Sequence, residues 1–379
     1  MLNVMLTGTV SFIITMLAIP AIMKVAREKK LYDLPDARKL HTKPIASLGG
    51  VGIFIGFFIA VLLTTGTDNR EFQYFCASAI VIFFLGLKDD ILILSPTKKF
   101  LGQLAATAIL VHLGDIRLDS MHGFLGIYQL PEFAGYLLSY ITIIVVVNAY
   151  NLIDGVDGLA GTLGVMTMSI FGTYFYFAEM PSYALLAFAM AGSLLAFLKF
   201  NFAPAKIFMG DSGSLLIGLI NAILVIKFIT VADSDLASVK INSAVAIGMS
   251  ILIVPLLDTL RVFSMRIAKG RSPFSPDRNH IHHLLLDKGL NHRYVTFSCV
   301  GLNLSFIAMT YFGRSFGPTT LILSMVLISI GLIAALIFFK KPSTTLVIAS
   351  SFQHNGAEPS VQPATKVVTL KAEAAVAEQ

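Results

Sequence analysis

The chain is 379 residues long; 56% of its residues are hydrophobic, only 13% are charged, and its mean hydropathy is +0.79. A soluble domain has about 25% charged residues, so this composition excludes a soluble cytosolic enzyme and a disordered protein. It favours a polytopic membrane protein, for which the bilayer is the solvent of most of the chain. Its two cysteines, Cys76 and Cys299, lie in apolar runs and indicate neither a disulfide framework nor a zinc site.

Eleven apolar segments approach the roughly 20 residues that a transmembrane helix needs. The first lacks a basic region and a small-residue cleavage motif, so we interpret it as a retained span and not as a signal peptide. The predicted fold is an all-α polytopic membrane protein of about eleven transmembrane helices, with an integral membrane domain at 1–341 and a flexible cytoplasmic tail at 342–379. The segments are Leu2–Met23, Leu48–Thr65, Phe72–Leu87, Phe100–Leu113, Gly135–Val147, Leu159–Ala178, Tyr183–Leu198, Ser214–Val231, Ile241–Leu260, Tyr294–Phe312 and Thr319–Phe339.

The cations divide unevenly between the loops. Those after odd-numbered segments carry most of them, whereas those after even-numbered segments carry only Arg70, Arg117, Lys240 and Arg314. The positive-inside rule then places the odd loops and the C-terminus in the cytoplasm and the N-terminus outside. We expect no nucleic-acid partner, because the cations that give the net charge of +6 flank membrane spans and form no basic domain.

Two adjacent acids, Asp89 and Asp90, close the third segment. Adjacent residues diverge by about 100° on a helix, so both can face one ion only where the helix ends. Carboxylates at a helix C-terminus oppose the helix dipole, which predicts a compensating cation, either a metal or Lys98 and Lys99. A solvated helix end is the alternative.

Polar residues recur at every third position after the fifth segment, as Asn148, Asn151, Asp154 and Asp157. In a 3₁₀ or broken segment they would align on one side, and the glycines that follow the two aspartates permit such a break. Amide and carboxylate oxygens in one cluster suit Mg²⁺, with Mn²⁺ as an alternative ion. The other interpretation is a polar loop in which Asn and Asp form turns.

Asp211 lies in the run Phe208–Ser214, which leads directly into the eighth segment. Asp211 or Ser212 could cap that helix, and capping does not exclude a metal role. The helix N-terminus also offers backbone amides to a phosphate. Phe208 could stack on a base or lie at the membrane interface.

The longest cytoplasmic loop holds Arg278, His280, His282 and His283. Zinc helices usually carry histidines at i and i+4. That spacing is absent and no cysteine is near, so the run predicts an anion-binding surface, since Arg forks onto phosphate oxygens. An ordinary polar loop is the alternative.

Three other charged positions are less specific. Asp258 lies three residues before Arg261, and we interpret the two as a structural pair outside the site. Lys43, in the first cytoplasmic loop, is either a phosphate contact or one more positive-inside cation. Lys227, in the middle of the eighth segment, has no explanation in the sequence.

The combination favours a phosphate or pyrophosphate substrate, because Mg²⁺ and cations catalyse phosphoryl transfer by positioning and electrostatics. An ion-coupled transporter would place its ionisable groups near mid-span. ATP hydrolysis is not expected, since the chain has no P-loop pattern.

Four runs carry a resemblance to a known family: the Asp89–Asp90 pair, Asn148–Gly158, Met209–Gly213 and Pro273–His283. In this order they resemble the polyprenyl-phosphate N-acetylhexosamine-1-phosphate transferases, bacterial enzymes that start O-antigen, common-antigen and teichoic-acid linkage glycans. The resemblance covers roughly residues 24–286. The sister family, phospho-N-acetylmuramoyl-pentapeptide transferase, carries three consecutive histidines where this chain has His280-Ile-His282-His283, so that run favours the hexosamine branch.

The resemblance implies a reaction at the bacterial inner membrane. A UDP-N-acetylhexosamine, with GlcNAc as the expected sugar, and undecaprenyl phosphate would give undecaprenyl-pyrophosphoryl-N-acetylhexosamine and UMP with Mg²⁺. The lipid phosphate is mostly a dianion at neutral pH, so we expect direct attack on the sugar-linked phosphorus; a covalent Asp-phosphosugar intermediate stays open. The alternatives are the sister transferase of peptidoglycan synthesis and a lipid or nucleotide-sugar transporter, and a homodimer is left open.

Roles carry over residue by residue from the family. The implied catalytic acids are Asp89, Asp90 and Asp154, and the implied Mg²⁺ ligands are Asp211 and Asn151. The implied substrate-binding residues are Asn148, Asp157, Phe208, Arg278, His280, His282, His283, Lys43 and Lys99.

Overall fold

The computed structural model describes residues 2–31, 45–64, 70–92, 94–234, 237–268, 270 and 280–338. The predicted tail, Lys43 and Arg278 lie outside these residues. The helices are α1 (Leu2–Glu28), α2 (Gly49–Thr64), α3 (Arg70–Leu92), α4 (Pro96–Ala108), α5 (Glu132–Ile153), α6 (Leu159–Phe177), α7 (Pro181–Asn201), α8 (Gly210–Ala232), α9 (Ala244–Ile251), α10 (Ile253–Ala268), α11 (Ile281–Asp287), α12 (His292–Phe312) and α13 (Pro318–Phe338). A π-helical turn, Ile109–Leu113, continues α4, a 3₁₀ turn spans Arg314–Phe316, and an antiparallel hairpin joins β1 (Ser120–Phe124) to β2 (Ile127–Gln129).

Each predicted apolar segment falls on a helix; the fourth corresponds to α4 with its π-helical turn and the ninth to α9 with α10. By length and apolarity alone, six of the described helices could cross a membrane, or seven if α9 and α10 form one bent span. The protein is therefore an all-α polytopic membrane protein, to which the small hairpin and the short helix α11 are additions that the apolar pattern does not predict.

The ninth segment is broken, with α9 and α10 meeting at an angle of 79°. Pro255 has no N–H to donate to the preceding turn, which frees carbonyls at the end of α9. Asn303 of α12 satisfies them: its Nδ2 donates to Ser250 O and Ile251 O, both at 3.1 Å, and its Oδ1 accepts from Val254 N at 3.2 Å. Such side-chain substitution keeps a break inside a membrane tolerable, and it sets the direction in which α10 carries Asp258.

Helix α8 lies at the centre of the bundle and is buried along nearly its whole length. Glycines allow three neighbours to approach it closely. A Cβ on Gly50 of α2 would come within 2.2 Å of Gly213 N, one on Gly86 of α3 within 2.6 Å of Asp211, and one on Gly218 within 2.6 Å of Val147 Cα in α5. Small residues are the usual means of close helix packing in a bilayer, and here they bring α2 and α3 directly against the start of α8.

We expect Gly192→Ala to destabilise the bundle by about 1–3 kcal/mol, the usual cost of overpacking. A Cβ on Gly192 of α7 would lie 2.1 Å from Gly8 O of α1, and backbone cannot yield as a flexible side chain does. The apparent midpoint of thermal unfolding in detergent measures the effect. Gly331→Ala in α13 is the matched control, since its Cβ would meet no described atom within 4 Å; equal midpoints for both variants would contradict the prediction.

Candidate active site

Four helix ends meet on one side of the bundle and bring together the predicted acidic and amide residues. The hydrogen bonds and ion pairs described below join most of them directly, although Asp90 and Asp211 are 121 residues apart in the chain. They are Asp89 and Asp90 near the end of α3, Lys99 in the first turn of α4, Asn151 and Asp154 at the end of α5, and Asp211 at the start of α8.

Lys99 lies within this cluster and contacts three of its members. Its Nζ lies 3.1 Å from Asp89 Oδ2, donates to Asn151 Oδ1 at 3.2 Å and forms an ion pair with Asp211 Oδ2. Burial lowers the pKa of Lys99, but the carboxylates of Asp211 and Asp89 outweigh it and raise the pKa above its usual value. The ammonium therefore stays charged and compensates Asp89, which the sequence predicts to need a cation.

Asn151 orients Asp211. Its Nδ2 donates to Asp211 Oδ1 at 2.8 Å and to Ser214 Oγ at 3.0 Å. Because its Oδ1 accepts from Lys99, Asn151 links the end of α5 to the starts of both α4 and α8. The two residues predicted as metal ligands are thus in direct contact, and one oxygen of each contacts Lys99 Nζ.

Asp90 caps helix α8. Its Oδ1 accepts from Asp211 N at 2.7 Å, and its Oδ2 accepts from Ser212 N at 3.1 Å and Ser212 Oγ at 2.7 Å. A carboxylate at a helix N-terminus satisfies orphan amides and favours the dipole. Gly210, at φ +73°, makes room for it, since a Cβ there would lie 2.7 Å from both carboxylate oxygens. The sequence predicts that Asp211 or Ser212 caps α8. In the structure Asp90 of α3 accepts the hydrogen bonds of the first amides of α8.

Asp154 follows α5 immediately, and its pKa is strongly raised. Burial, together with the charges of Asp211, Asp90 and Asp157, raises the pKa of Asp154 to about 8. Among the described residues this cluster holds four acids and one lysine, so it can accept further positive charge, which would also favour the ionised form of Asp154. An additional cation with a preference for hard oxygen ligands, of which Mg²⁺ is the commonest, fits that donor set.

Asn148 is bonded to a residue that the sequence analysis does not single out. Asn148 Nδ2 donates to Gln103 Oε1 at 2.8 Å, and Gln103 Nε2 donates back to Asn148 Oδ1 at 3.3 Å. Gln103 is buried in α4, four residues after Lys99 and therefore on the same helix face. A glutamine within an apolar segment is the signal that could have identified it.

Asp157 and Phe208 lie in loops that are joined to each other at this end of the bundle. Asp157 Oδ2 accepts from Ala205 N at 3.0 Å and lies 3.4 Å from His292 Nδ1 of α12, a histidine that the sequence analysis omits. Phe208 N donates to Ala46 O at 2.8 Å, and Phe208 O accepts from Gly49 N at 2.9 Å. These bonds hold both loops beside α8; a contact of either side chain with a nucleotide stays a prediction.

The histidine run contacts Asp258, which the sequence interpretation places outside the site. His280 Nδ1 lies 2.8 Å from Asp258 Oδ2, and Ile281 N donates to Asp258 Oδ1 at 2.6 Å. His282 is packed against the acidic loop, where a Cβ on Gly155 would come within 2.4 Å of its Nε2. The histidines thus adjoin the acidic cluster, and Asp258 contacts them.

Lys227, which the sequence leaves without explanation, has an aromatic neighbour in the structure. Its Nζ lies 5.1 Å from the centroid of the Tyr183 ring, within the range of a cation–π contact.

Carboxylates, amides and a lysine gather at the helix ends of this polytopic helical protein. Such an arrangement is typical of a membrane-embedded enzyme that binds phosphate groups. Comparison with known proteins identifies the family. The model of glycosyl transferase family 4 matches residues 72–229, which run from near the start of α3 to near the end of α8 and include the acidic cluster.

Three relatives illustrate the similarity. The chain is 32% identical over 298 residues to a probable undecaprenyl-phosphate N-acetylglucosaminyl 1-phosphate transferase of Bacillus subtilis (strain 168), covering 77% of this chain and 80% of the relative. It is 32% identical to a decaprenyl-phosphate N-acetylglucosaminephosphotransferase of Mycobacterium tuberculosis (strain ATCC 25618 / H37Rv), covering 76% and 77%. It is 30% identical to the undecaprenyl-phosphate alpha-N-acetylglucosaminyl 1-phosphate transferase of Escherichia coli (strain K12), covering 74% and 76%. The chain belongs to the polyprenyl-phosphate N-acetylhexosamine-1-phosphate transferases of glycosyl transferase family 4, and it is a phosphoglycosyltransferase.

Proposed function

We propose that this enzyme transfers GlcNAc-1-phosphate from UDP-GlcNAc to undecaprenyl phosphate and releases UMP, in the first step of a cell-surface glycan. The observation that carries the proposal is the cluster of Asp89, Asp154, Asp211, Asn151 and Lys99, which offers oxygen ligands and a cation to a diphosphate. The names of the relatives support GlcNAc as the sugar and a polyprenyl phosphate as the acceptor.

A groove between α4 and α5 supports a lipid acceptor. It has a volume of about 500 Å³ and extends over about 18 Å of α5, at 1.5 Å per residue. The end lined by Phe100 and Val145 is the one nearer the acidic cluster, since Phe100 follows Lys99 in the chain and Val145 lies three residues before Asn148. An isoprenoid chain in the groove would present its phosphate to Lys99. The lining residues are Phe100, Leu104, Phe133, Tyr136, Leu137, Tyr140, Ile141, Ile144 and Val145.

The contacts of the residues support the following proposed roles. Asp211, oriented by Asn151, would hold Mg²⁺ with it, and the ion when bound would neutralise the diphosphate and the departing UMP. Lys99 would shield the acceptor phosphate from the carboxylates around it. Asp89, in contact with Lys99, positions that phosphate, and Asp90 fixes the start of α8. The attack is direct in this scheme, because the acceptor already carries the nucleophilic oxygen.

The proposed orientation places this cluster in the cytoplasm, where UDP-sugars occur, with eleven spans and the N-terminus outside. The helix ends and loops on the side of the cluster carry Lys88, Lys98, Lys199, Lys206 and Arg293, in the pattern of a cytoplasmic face. At the opposite end of α8, Thr230 Oγ1 donates to Arg117 O, which places the hairpin region on the far side.

The test is UMP release by purified enzyme in detergent from UDP-GlcNAc, UDP-GalNAc and UDP-MurNAc-pentapeptide, each with and without undecaprenyl phosphate and Mg²⁺. We expect release with UDP-GlcNAc only when lipid and Mg²⁺ are both present, and a loss of about a hundredfold or more on chelation that added Mg²⁺ reverses. Preference for the pentapeptide donor would contradict the proposed sugar. UMP release stoichiometric with enzyme in the absence of lipid would replace direct attack by a covalent intermediate.

A further inference from the structure

Asp258, His280 and His282 form a second cluster, separate from the acidic one. Asp258 Oδ2 lies 2.8 Å from His280 Nδ1 and 3.9 Å from His282 Nδ1, and one ligand atom from each residue lies within 4.8 Å of the others. The exposed fractions are 0% for Asp258, 6% for His280 and 1% for His282. Three groups of this kind buried together require a compensating arrangement, since a buried charge or polar group without partners is costly.

Hydrogen bonds within the protein satisfy only some of the buried polar atoms of this cluster. His282 Nδ1 is buried and has no hydrogen-bond partner among the described residues, an arrangement that is unfavourable for a polar atom. It faces the same carboxylate oxygen as His280 Nδ1.

The ligand chemistry distinguishes this cluster from the magnesium-type one. Two imidazole nitrogens and one carboxylate oxygen are a common protein ligand set for Zn²⁺, with a fourth position left for water. Ligand atoms of a tetrahedral zinc lie about 3.3 Å apart at Zn–N distances of about 2.0–2.1 Å, a value between the two separations observed. Asp258 Oδ1 accepts from Ile281 N at 2.6 Å, which orients the carboxylate as outer-shell bonds orient metal ligands.

We propose that Asp258, His280 and His282 bind one divalent transition metal ion of the zinc class. The histidine spacing alone argues against such a site; Asp258, 22 residues before His280, supplies the third ligand. The ion fastens α11 to α10 and holds His282 against Gly155 in the acidic loop. This site does not depend on the identity of the sugar or the lipid.

The experiment is metal analysis of the full chain, purified in detergent through a tag without histidine and dialysed against metal-free buffer. We expect about one zinc per chain by mass spectrometry, and uptake of Co²⁺ with the absorption bands of a tetrahedral site. Asp258→Asn and His282→Asn should each lower the bound metal about tenfold or more. Asp287→Asn, at the exposed end of α11, and His112→Asn, at an exposed ring far along the chain, are matched controls that should retain it.

A native protein that carries no stoichiometric zinc and takes up no cobalt overturns the site and leaves an Asp–His hydrogen bond in its place. X-ray absorption of the zinc-loaded native protein decides the matter even where a variant fails to fold. Two imidazole nitrogens with oxygen ligands are expected, and an all-oxygen shell contradicts the assignment. UMP release measured in parallel separates the two proposals, since a zinc-bound but inactive protein would refute only the proposed reaction.

Discussion

Asp211→Asn is expected to lower kcat about a thousandfold while the protein remains folded. Asn keeps the size of the side chain and one acceptor oxygen, so the contact with Asn151 changes little. It removes the negative charge that would hold Mg²⁺ and that pairs with Lys99. Losing one electrostatic contact of this kind at a reacting phosphate typically costs about 10²–10³ in rate, and loss of a metal ligand adds to it.

The measurement is the rate of UMP release at saturating UDP-GlcNAc, undecaprenyl phosphate and Mg²⁺, with the thermal midpoint recorded on the same preparation. Asp119→Asn is the matched control: an exposed aspartate in the segment before the hairpin, distant from the cluster, whose loss should change neither value. If higher Mg²⁺ concentrations restore part of the rate in Asp211→Asn, the defect lies in metal affinity. Nearly full activity at ordinary Mg²⁺ would remove Asp211 from the metal site.

The helices and the acidic cluster could be predicted because their signals are local. An apolar run of suitable length forms a helix in a bilayer whatever its neighbours are, since its backbone must satisfy its own hydrogen bonds. Acids beside glycines at the ends of such runs are unusual enough to mark a site, and the positive-inside rule places them on one side. Asp89, Asp154 and Asp211 were accessible to this reasoning without any knowledge of which helices touch.

The contacts between distant residues were not accessible in the same way. Gln103 belongs to the site through Asn148, 45 residues away, and Asp258 through His280. The break after α9 follows from Pro255, but its stabilisation depends on Asn303, about fifty residues later. A single sequence shows which polar residues lie in apolar segments, but not which of them are in contact. Helical periodicity could predict only that Gln103 lies on the same helix face as Lys99.

Asp90→Ala is expected to reduce both stability and activity, which distinguishes it from Asp211→Asn. The substitution leaves the backbone amides of Asp211 and Ser212 and the Ser212 hydroxyl without their acceptor, at a cost of about 3 kcal/mol. The favourable charge at the α8 N-terminus is lost as well. Because Asp211 is the first acidic residue of α8, fraying of that turn displaces its carboxylate, and we expect kcat to fall about a hundredfold.

Asp90→Asn should fall between Ala and the native residue, since an amide retains one acceptor oxygen but turns an N–H₂ toward another donor. Thermal midpoints and UMP release rates of the native protein, Asp90→Ala, Ser212→Ala and the double variant form a mutant cycle. Ser212 Oγ bonds to Asp90 Oδ2, so the two substitutions should couple by about 1 kcal/mol in stability. If Asp90→Ala keeps its thermal midpoint and shows no coupling with Ser212→Ala, yet loses activity, Asp90 acts on the substrates, as the family resemblance implies. Loss of stability and activity together, in proportion across the cycle, assigns Asp90 to holding the helix that carries Asp211.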